Sequence, residues 1–112
     1  MPVQTVRRPK RVANIEVAAL ERKAGEAAGL LKLLANENRL LILCRLAIAG
    51  EMSVGDLADA VDLSQSALSQ HLAKMREDGL LTTRREAQSV FYRIGDPNAA
   101  RLLSLLKTIY CS

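Results

Sequence analysis

The stretch SVGDLADAVDLSQSALSQHLAKMREDGLL, from Ser53 to Leu81, decides the fold of this chain. Its apolar spacing predicts two short amphipathic helices joined by a tight turn. Ser53 and Asp56 form a capping box for the first helix. Ser64 can cap the second helix, which Gly79 ends.

The second of these helices has two contrasting faces. The residues predicted to pack against the rest of the domain are Ala67, Leu68, Leu72 and Met75. The opposite face carries Gln65, Ser66, Ser69, Gln70 and, at its margin, His71. A solvated helix usually carries Lys and Glu there, whereas amides, hydroxyls and an imidazole suit the base edges of a DNA major groove. The segment therefore predicts a recognition helix that reads DNA sequence.

Three residues of this helix can be interpreted in two ways. His71 is either a DNA contact or a satisfied polar group at a contact between helices. Lys74 and Arg76 are either phosphate contacts or solvated surface charges.

A β-hairpin is predicted after Gly79, with strands at 80–85 and 89–94. Val90, Tyr92 and Ile94 alternate with more polar neighbours, and the short link lacks an Asn-Gly or Gly signal, so its turn type stays open. Near the turn lie Arg84, Arg85 and Gln88. Positive groups there can contact phosphate or the minor groove and position the protein, while the helix specifies sequence.

The flanking segments are predicted to be helical. The first helix, from about Ile15 to Leu34, carries a heptad stripe of Leu20, Ala24, Ala27, Leu31 and Leu34. Asn36 can cap a central helix that reaches Ala49 and whose apolar stretch LLILCRLAIA predicts burial nearly all round. Asp96 and Pro97 start a last helix that runs to about Tyr110.

This order predicts a mainly α fold with a small β-hairpin, α-α-α-α-β-β-α, which is a winged helix-turn-helix. The first and last helices are the available surfaces for a homodimer. Two recognition helices would then enter successive major grooves about 34 Å apart on a palindromic operator.

Composition agrees with one small domain. The chain has 112 residues, a net charge of +4 and an aromatic content of 3%. We expect residues 1–13 to form a flexible basic arm, either solvated or touching DNA, and residues 14–112 to form the domain. No signal peptide or membrane span is predicted, so the cytoplasm is expected, where Cys44 and Cys111 would not form a standing structural disulfide.

The chain resembles the ArsR/SmtB family of bacterial repressors. The resemblance is carried by LLKLLANENRLLILCRL (Leu30 to Leu46), by the stretch Ser53 to Leu81, and by QSVFYRI (Gln88 to Ile94). It covers most of the chain beyond the basic arm. It implies a dimeric winged-helix repressor that releases operator DNA on sensing a small inducer.

Family-type metal sites are not expected. Where a well-known site of the family has a Cys-x-Cys-x-Asp pattern, this chain has Ser53-Val54-Gly55-Asp56, and its last helix has no histidine. Two distant cysteines are poor zinc ligands on their own. No metal and no cofactor are therefore predicted.

The cysteines resemble those of the thiol-based branch of the family, typified by the BigR, SqrR and HlyU regulators. That branch has an aromatic residue before a near-terminal cysteine, similar to Ile109-Tyr110-Cys111 here. The resemblance implies that persulfide or polysulfide links Cys44 to Cys111 and lowers DNA affinity. The alternative interpretation is a small buried core residue at Cys44 and a frayed terminal thiol at Cys111.

An enzyme is not expected, since the chain has no Cys-x-x-Cys motif and no Gly-rich cofactor loop. Three alternatives share the predicted fold. They are a sensor of peroxide or general thiol oxidation, a sensor of metal at a site unlike those of the family, and a constitutive DNA-binding regulator.

Overall fold

A computed structural model describes residues 14–111, so the predicted basic arm at 1–13 lies outside the described residues. The elements are α1 (Asn14–Arg22), α2 (Ala24–Leu34), α3 (Glu37–Ala49), β1 (Met52–Ser53), α4 (Val54–Ala60), α5 (Gln65–Glu77), β2 (Leu81–Glu86), β3 (Ser89–Ile94) and α6 (Pro97–Cys111). One compact unit ends at Leu30 and a second begins at Leu31. No helix within residues 14–111 has the length and apolar character that a bilayer crossing requires.

The prediction of a single long first helix, which was based on the heptad stripe, is wrong. The chain turns at Lys23, whose amide donates to the carbonyl of Leu20 at 2.9 Å, and α2 starts at the next residue. Gly25 follows directly, and glycine costs about 1 kcal/mol relative to alanine inside a helix. The residues of the stripe also differ in exposure, since Leu20 and Leu31 are exposed while Leu34 is buried.

The predicted caps define the starts of the other helices. Asn36 accepts from the amide of Arg39, Ser53 from that of Asp56 and Ser64 from that of Ala67, each at 3.1 Å. At α6, Asp96 accepts from the amide of Asn98 at 2.8 Å. Each cap satisfies a backbone donor that a helix start leaves free.

Helix α5 closes in a Schellman motif, with Gly79 two residues after its last helical residue. Its last helical residue is Glu77, and Gly79 has a φ of +83°. The amide of Leu80 donates to the carbonyl of Met75 and that of Gly79 to Arg76. This end directs the chain from α5 straight into β2.

The hairpin is confirmed and lies in a three-stranded antiparallel sheet of order β1-β3-β2. Leu81 pairs with Ile94 and Glu86 with Ser89, which leaves Ala87 and Gln88 as the turn. Ala87 has a φ of +57°, the conformation that glycine usually supplies in a two-residue turn. Strand β1 was not predicted, because it has only two residues and pairs with β3 far along the chain.

The core of the second unit lies between α3, α4, α5, the strands and α6. Fully buried side chains include Ile42, Leu43, Leu46, Leu57, Leu68, Leu72, Met75, Leu80 and Leu81. The winged helix-turn-helix prediction is thus confirmed, with α4 and α5 as the helix-turn-helix and β2–β3 as the wing.

Close packing at the exit of β3 gives a stability prediction. A Cβ on Gly95 would lie 2.5 Å from Cγ2 of Thr82 and 3.3 Å from the Thr82 amide nitrogen. We expect Gly95→Ala to lower the free energy of unfolding by about 1–3 kcal/mol, as overpacking does. Urea denaturation checks it, and adding Thr82→Ser, which removes that methyl, should recover part of the loss. Equal stability of Gly95→Ala and the parent chain would contradict this packing.

Candidate nucleic-acid interface

Helix α5 is amphipathic in the way the sequence predicts. Leu68, Leu72 and Met75 are each 0% exposed and anchor one face in the core. Ala67 is half-buried at the edge of that face. The cap at Ser64 and these anchors leave little freedom in how the opposite face is presented.

That opposite face is polar and open. Gln65, Ser66, Ser69 and Gln70 are exposed, and His71 is half-buried at the margin. Sequence reasoning missed Ala73, which is exposed and lies one turn after Ser69 and Gln70. The methyl group of Ala73 can contact the methyl group of thymine. Its helical spacing from Ser69, which places both residues on one face, could have identified it in the sequence.

The two cations at the end of α5 differ in their surroundings. Lys74 lies 3.5 Å from a carboxylate oxygen of Glu77 and 3.4 Å from one of Asp78. Arg76 is exposed and forms no ion pair with any of the residues 14–111. Arg76 therefore has the less compensated charge.

The two arginines of β2 differ in the same way. Nε of Arg84 donates to both carboxylate oxygens of Glu51 at 2.8 Å, and Nη1 donates to Glu86 at 2.8 Å. The guanidinium carbon also lies 4.7 Å from the ring centroid of Phe91. Arg85 projects to the other face of β2, is exposed, and has no ion pair within the described part of the chain. Gln88 is exposed in the turn.

The contact with Arg84 changes the acidity of Glu51, a residue that sequence reasoning missed. The hydrogen bond from Arg84 lowers the pKa of the Glu51 carboxyl below its ordinary value, and the charges of Arg84 and Arg93 lower it further. The same bonds to Glu51 and Glu86 raise the pKa of Arg84. No local sequence pattern links Glu51 to Arg84, because the contact depends on the pairing of β1 with β3.

These shifts give a pH prediction. A carboxyl with a lowered pKa stabilises the folded state at neutral pH, and this contribution is lost as the pH falls through the folded-state value. We expect Glu51→Gln to lower the thermal midpoint at pH 7 and to lower it by less at pH 3. Calorimetry at both pH values checks this, and an equal difference at the two would contradict the ion pair as its cause.

Helix α3 is not buried nearly all round, as its apolar stretch predicted. Ile42, Leu43 and Leu46 are buried, but the face turned away from the core exposes Leu41, Cys44 and Ile48. Periodicity could not separate these faces, because both are apolar. The interpretation of Cys44 as a small buried core residue is therefore wrong.

Cys111, at the end of α6, is exposed like Cys44, and both thiols are free. Helix α6 buries only part of its apolar surface. Ala99 is buried and Leu102, Leu103 and Leu106 are half-buried, whereas Leu105 and Ile109 are 54% and 58% exposed. Large apolar side chains are therefore exposed on both α3 and α6.

Within residues 14–111, no group of three or more His, Cys, Asp or Glu side chains is arranged to hold a metal ion.

Comparison with known proteins agrees with this architecture. The sequence model of the bacterial regulatory protein, arsR family, matches residues 36–83. The chain is 48% identical to the transcriptional activator HlyU of Vibrio cholerae over 88% of this chain and 91% of that protein. It is 45% identical to the biofilm growth-associated repressor of Agrobacterium fabrum over 94% and 89% of the two chains.

Solved structures show the same fold. The regulator HlyU from Vibrio vulnificus has a TM-score of 0.78 at 48% identity, covering 86% of this chain and 99% of that one. The repressor BigR from Xylella fastidiosa has a TM-score of 0.78 at 41% identity, covering 85% and 96%. These relatives are transcriptional regulators and not enzymes, which confirms that expectation for this chain. With this fold and these relatives, the chain belongs to the arsR family of bacterial regulatory proteins and is a DNA-binding transcriptional regulator.

Proposed function

We propose that this regulator is a repressor that binds a palindromic operator as a homodimer and releases it when reactive sulfur species link Cys44 to Cys111. The observation that supports DNA binding is the exposed polar face of α5, which is held in place by the buried Leu68, Leu72 and Met75 on the opposite face. Amide and hydroxyl groups on a firmly packed helix are suited to hydrogen bonding with base edges.

Direct base contacts are assigned to the first turns of α5, with Gln65, Ser66, Ser69 and Gln70. Phosphate and minor-groove contacts are assigned to His71, Lys74, Arg76, Arg85 and Gln88. Arg76 and Arg85 are favoured among the cations, since neither is in an ion pair with another described residue. Arg84 was expected to join this group, but two carboxylates already hold it.

We expect Gln65→Ala and Ser69→Ala each to weaken binding by about 1–3 kcal/mol and to relax preference at one base position of each half-site. Titration of operator duplexes with single base changes measures this. Ser104→Ala, at an exposed serine on α6, is the matched control and should bind as the parent does. Loss spread evenly over all duplexes would contradict base reading by these side chains.

The homodimer is proposed to form through the open apolar faces. Each of the two predicted dimer helices carries large exposed apolar residues, which are Val17 and Leu20 on α1 and Leu105, Ile109 and Tyr110 on α6. Two copies related by a twofold axis would bury them and present two copies of α5.

The sensing half is supported by the exposure of both thiols, since an inducer can reach them without unfolding the domain. In the proposed reaction, inorganic polysulfide transfers one sulfane sulfur to each thiol, which leaves two persulfides and a shortened polysulfide. The two persulfides condense to a trisulfide with release of hydrogen sulfide, so no further oxidant is required.

Selection of duplexes from a random pool by the reduced protein tests the proposal. We expect one inverted repeat to be enriched and retained against excess competitor DNA. Equal binding to all duplexes, with a steep dependence on salt, would indicate a protein that binds the phosphate backbone alone.

A further inference from the structure

Arg84 is held on three sides in the wing. Its Nε reaches both oxygens of Glu51, its Nη1 reaches Glu86, and its guanidinium lies over Phe91. The side chain of Arg84 is 46% exposed and that of Glu51 29% exposed. Both negative partners compensate its charge, so a DNA phosphate would have to displace a carboxylate to use it.

The ion pair crosses the sheet. Glu51 follows Gly50, the end of α3, and precedes β1, whereas Arg84 lies on β2 at the other edge. Strand β3 runs between them, and its Phe91 pairs with Ser53 on one side and Arg84 on the other. The pair therefore ties the outer strand of the wing to the segment that leaves α3.

Resting on the proposed function above, we infer that Glu51 is a positioning residue for DNA binding. It fixes the wing through Arg84, and Arg85 supplies the phosphate contact of the wing. Alternation along β2 puts the two arginines on opposite faces, which divides these roles between neighbouring residues.

The salt dependence of DNA binding separates the two roles, because each phosphate contact contributes about 0.9 to the slope of log affinity against log salt. We expect Arg85→Ala to reduce this slope by about that amount. Glu51→Gln and Arg84→Ala should each weaken binding about two- to fivefold, the range for an exposed ion pair, without changing the slope. The double variant Glu51→Gln/Arg84→Ala should be no weaker than Arg84→Ala alone.

Glu37→Gln is the matched control, since it makes the same change of charge at an exposed carboxylate of α3. It corrects for the general gain in affinity that follows from removing a negative charge. Tighter binding by Glu51→Gln than by Glu37→Gln, or a lower slope for Arg84→Ala, would overturn the inference by showing that Arg84 contacts phosphate.

Amide hydrogen exchange gives a readout that does not depend on DNA. The amides of β2 and β3 should exchange faster in Glu51→Gln than in Glu37→Gln. If the exchange rates are the same in both variants and the parent chain binds its operator normally, the inference about Glu51 is overturned and the proposed function is not. A parent chain that selects no operator would instead overturn the proposed function, and with it any positioning role in DNA binding.

Discussion

The double variant Leu105→Glu/Ile109→Glu is expected to lose operator binding at concentrations that saturate the parent chain. Both side chains are more than half exposed on α6 and lie on one face of the helix. Carboxylates there would prevent burial against a second copy. Without the second copy each recognition helix binds its half-site alone, and linked binding of two sites adds about 10²- to 10⁴-fold.

Light scattering and operator titration on the same samples measure this result. Lys107→Glu is the control, because Lys107 lies two residues from each substituted position and so does not share their face. It should remain dimeric and bind DNA, with a loss that fits one added negative charge. A dimer in the double variant would place the interface elsewhere, and a monomeric parent chain would remove the dimer from the proposal.

Loss of the sulfur response is the second large expected effect. Polysulfide should lower the operator affinity of the parent chain by about 5- to 150-fold, the usual range of coupling between two sites. Cys44→Ser, Cys111→Ser and the double variant should bind DNA as the reduced parent does and should show no response. Serine is close in size to cysteine, and both positions are exposed, so the fold should tolerate these changes.

Mass spectrometry identifies the bridge that accompanies DNA release. A peptide pair joining Cys44 to Cys111 through added sulfur is expected after polysulfide. A direct disulfide after peroxide would need Cα atoms within about 7 Å and would favour general oxidant sensing. DNA release that persists in the double variant would contradict thiol control.

Local sequence signals were sufficient for most of the fold. Asn36, Ser53, Ser64 and Asp96 could be identified as caps because a helix start requires an acceptor at one defined position. The break at Lys23 could not, because the heptad stripe continues across it. Strand β1 depends on pairing with a distant segment, which no local pattern encodes.

The polar face of α5 was predictable because the buried residues that orient it belong to the same helix. The spacing of Leu68, Leu72 and Met75 determines which way Gln70 points, so exposure followed from periodicity. The environment of Arg84 was not predictable, since Glu51 reaches it across the sheet. The exposure of Cys44 was missed because an apolar helix can bury one face and leave another for a partner.

Methylation interference on the selected operator shows whether two copies of α5 enter successive major grooves. Methyl groups at guanine N7 project into the major groove, where they obstruct a recognition helix. We expect two symmetric clusters of interfering guanines, with centres about 10 base pairs apart. A single cluster, or binding that is indifferent to major-groove methylation, would contradict it.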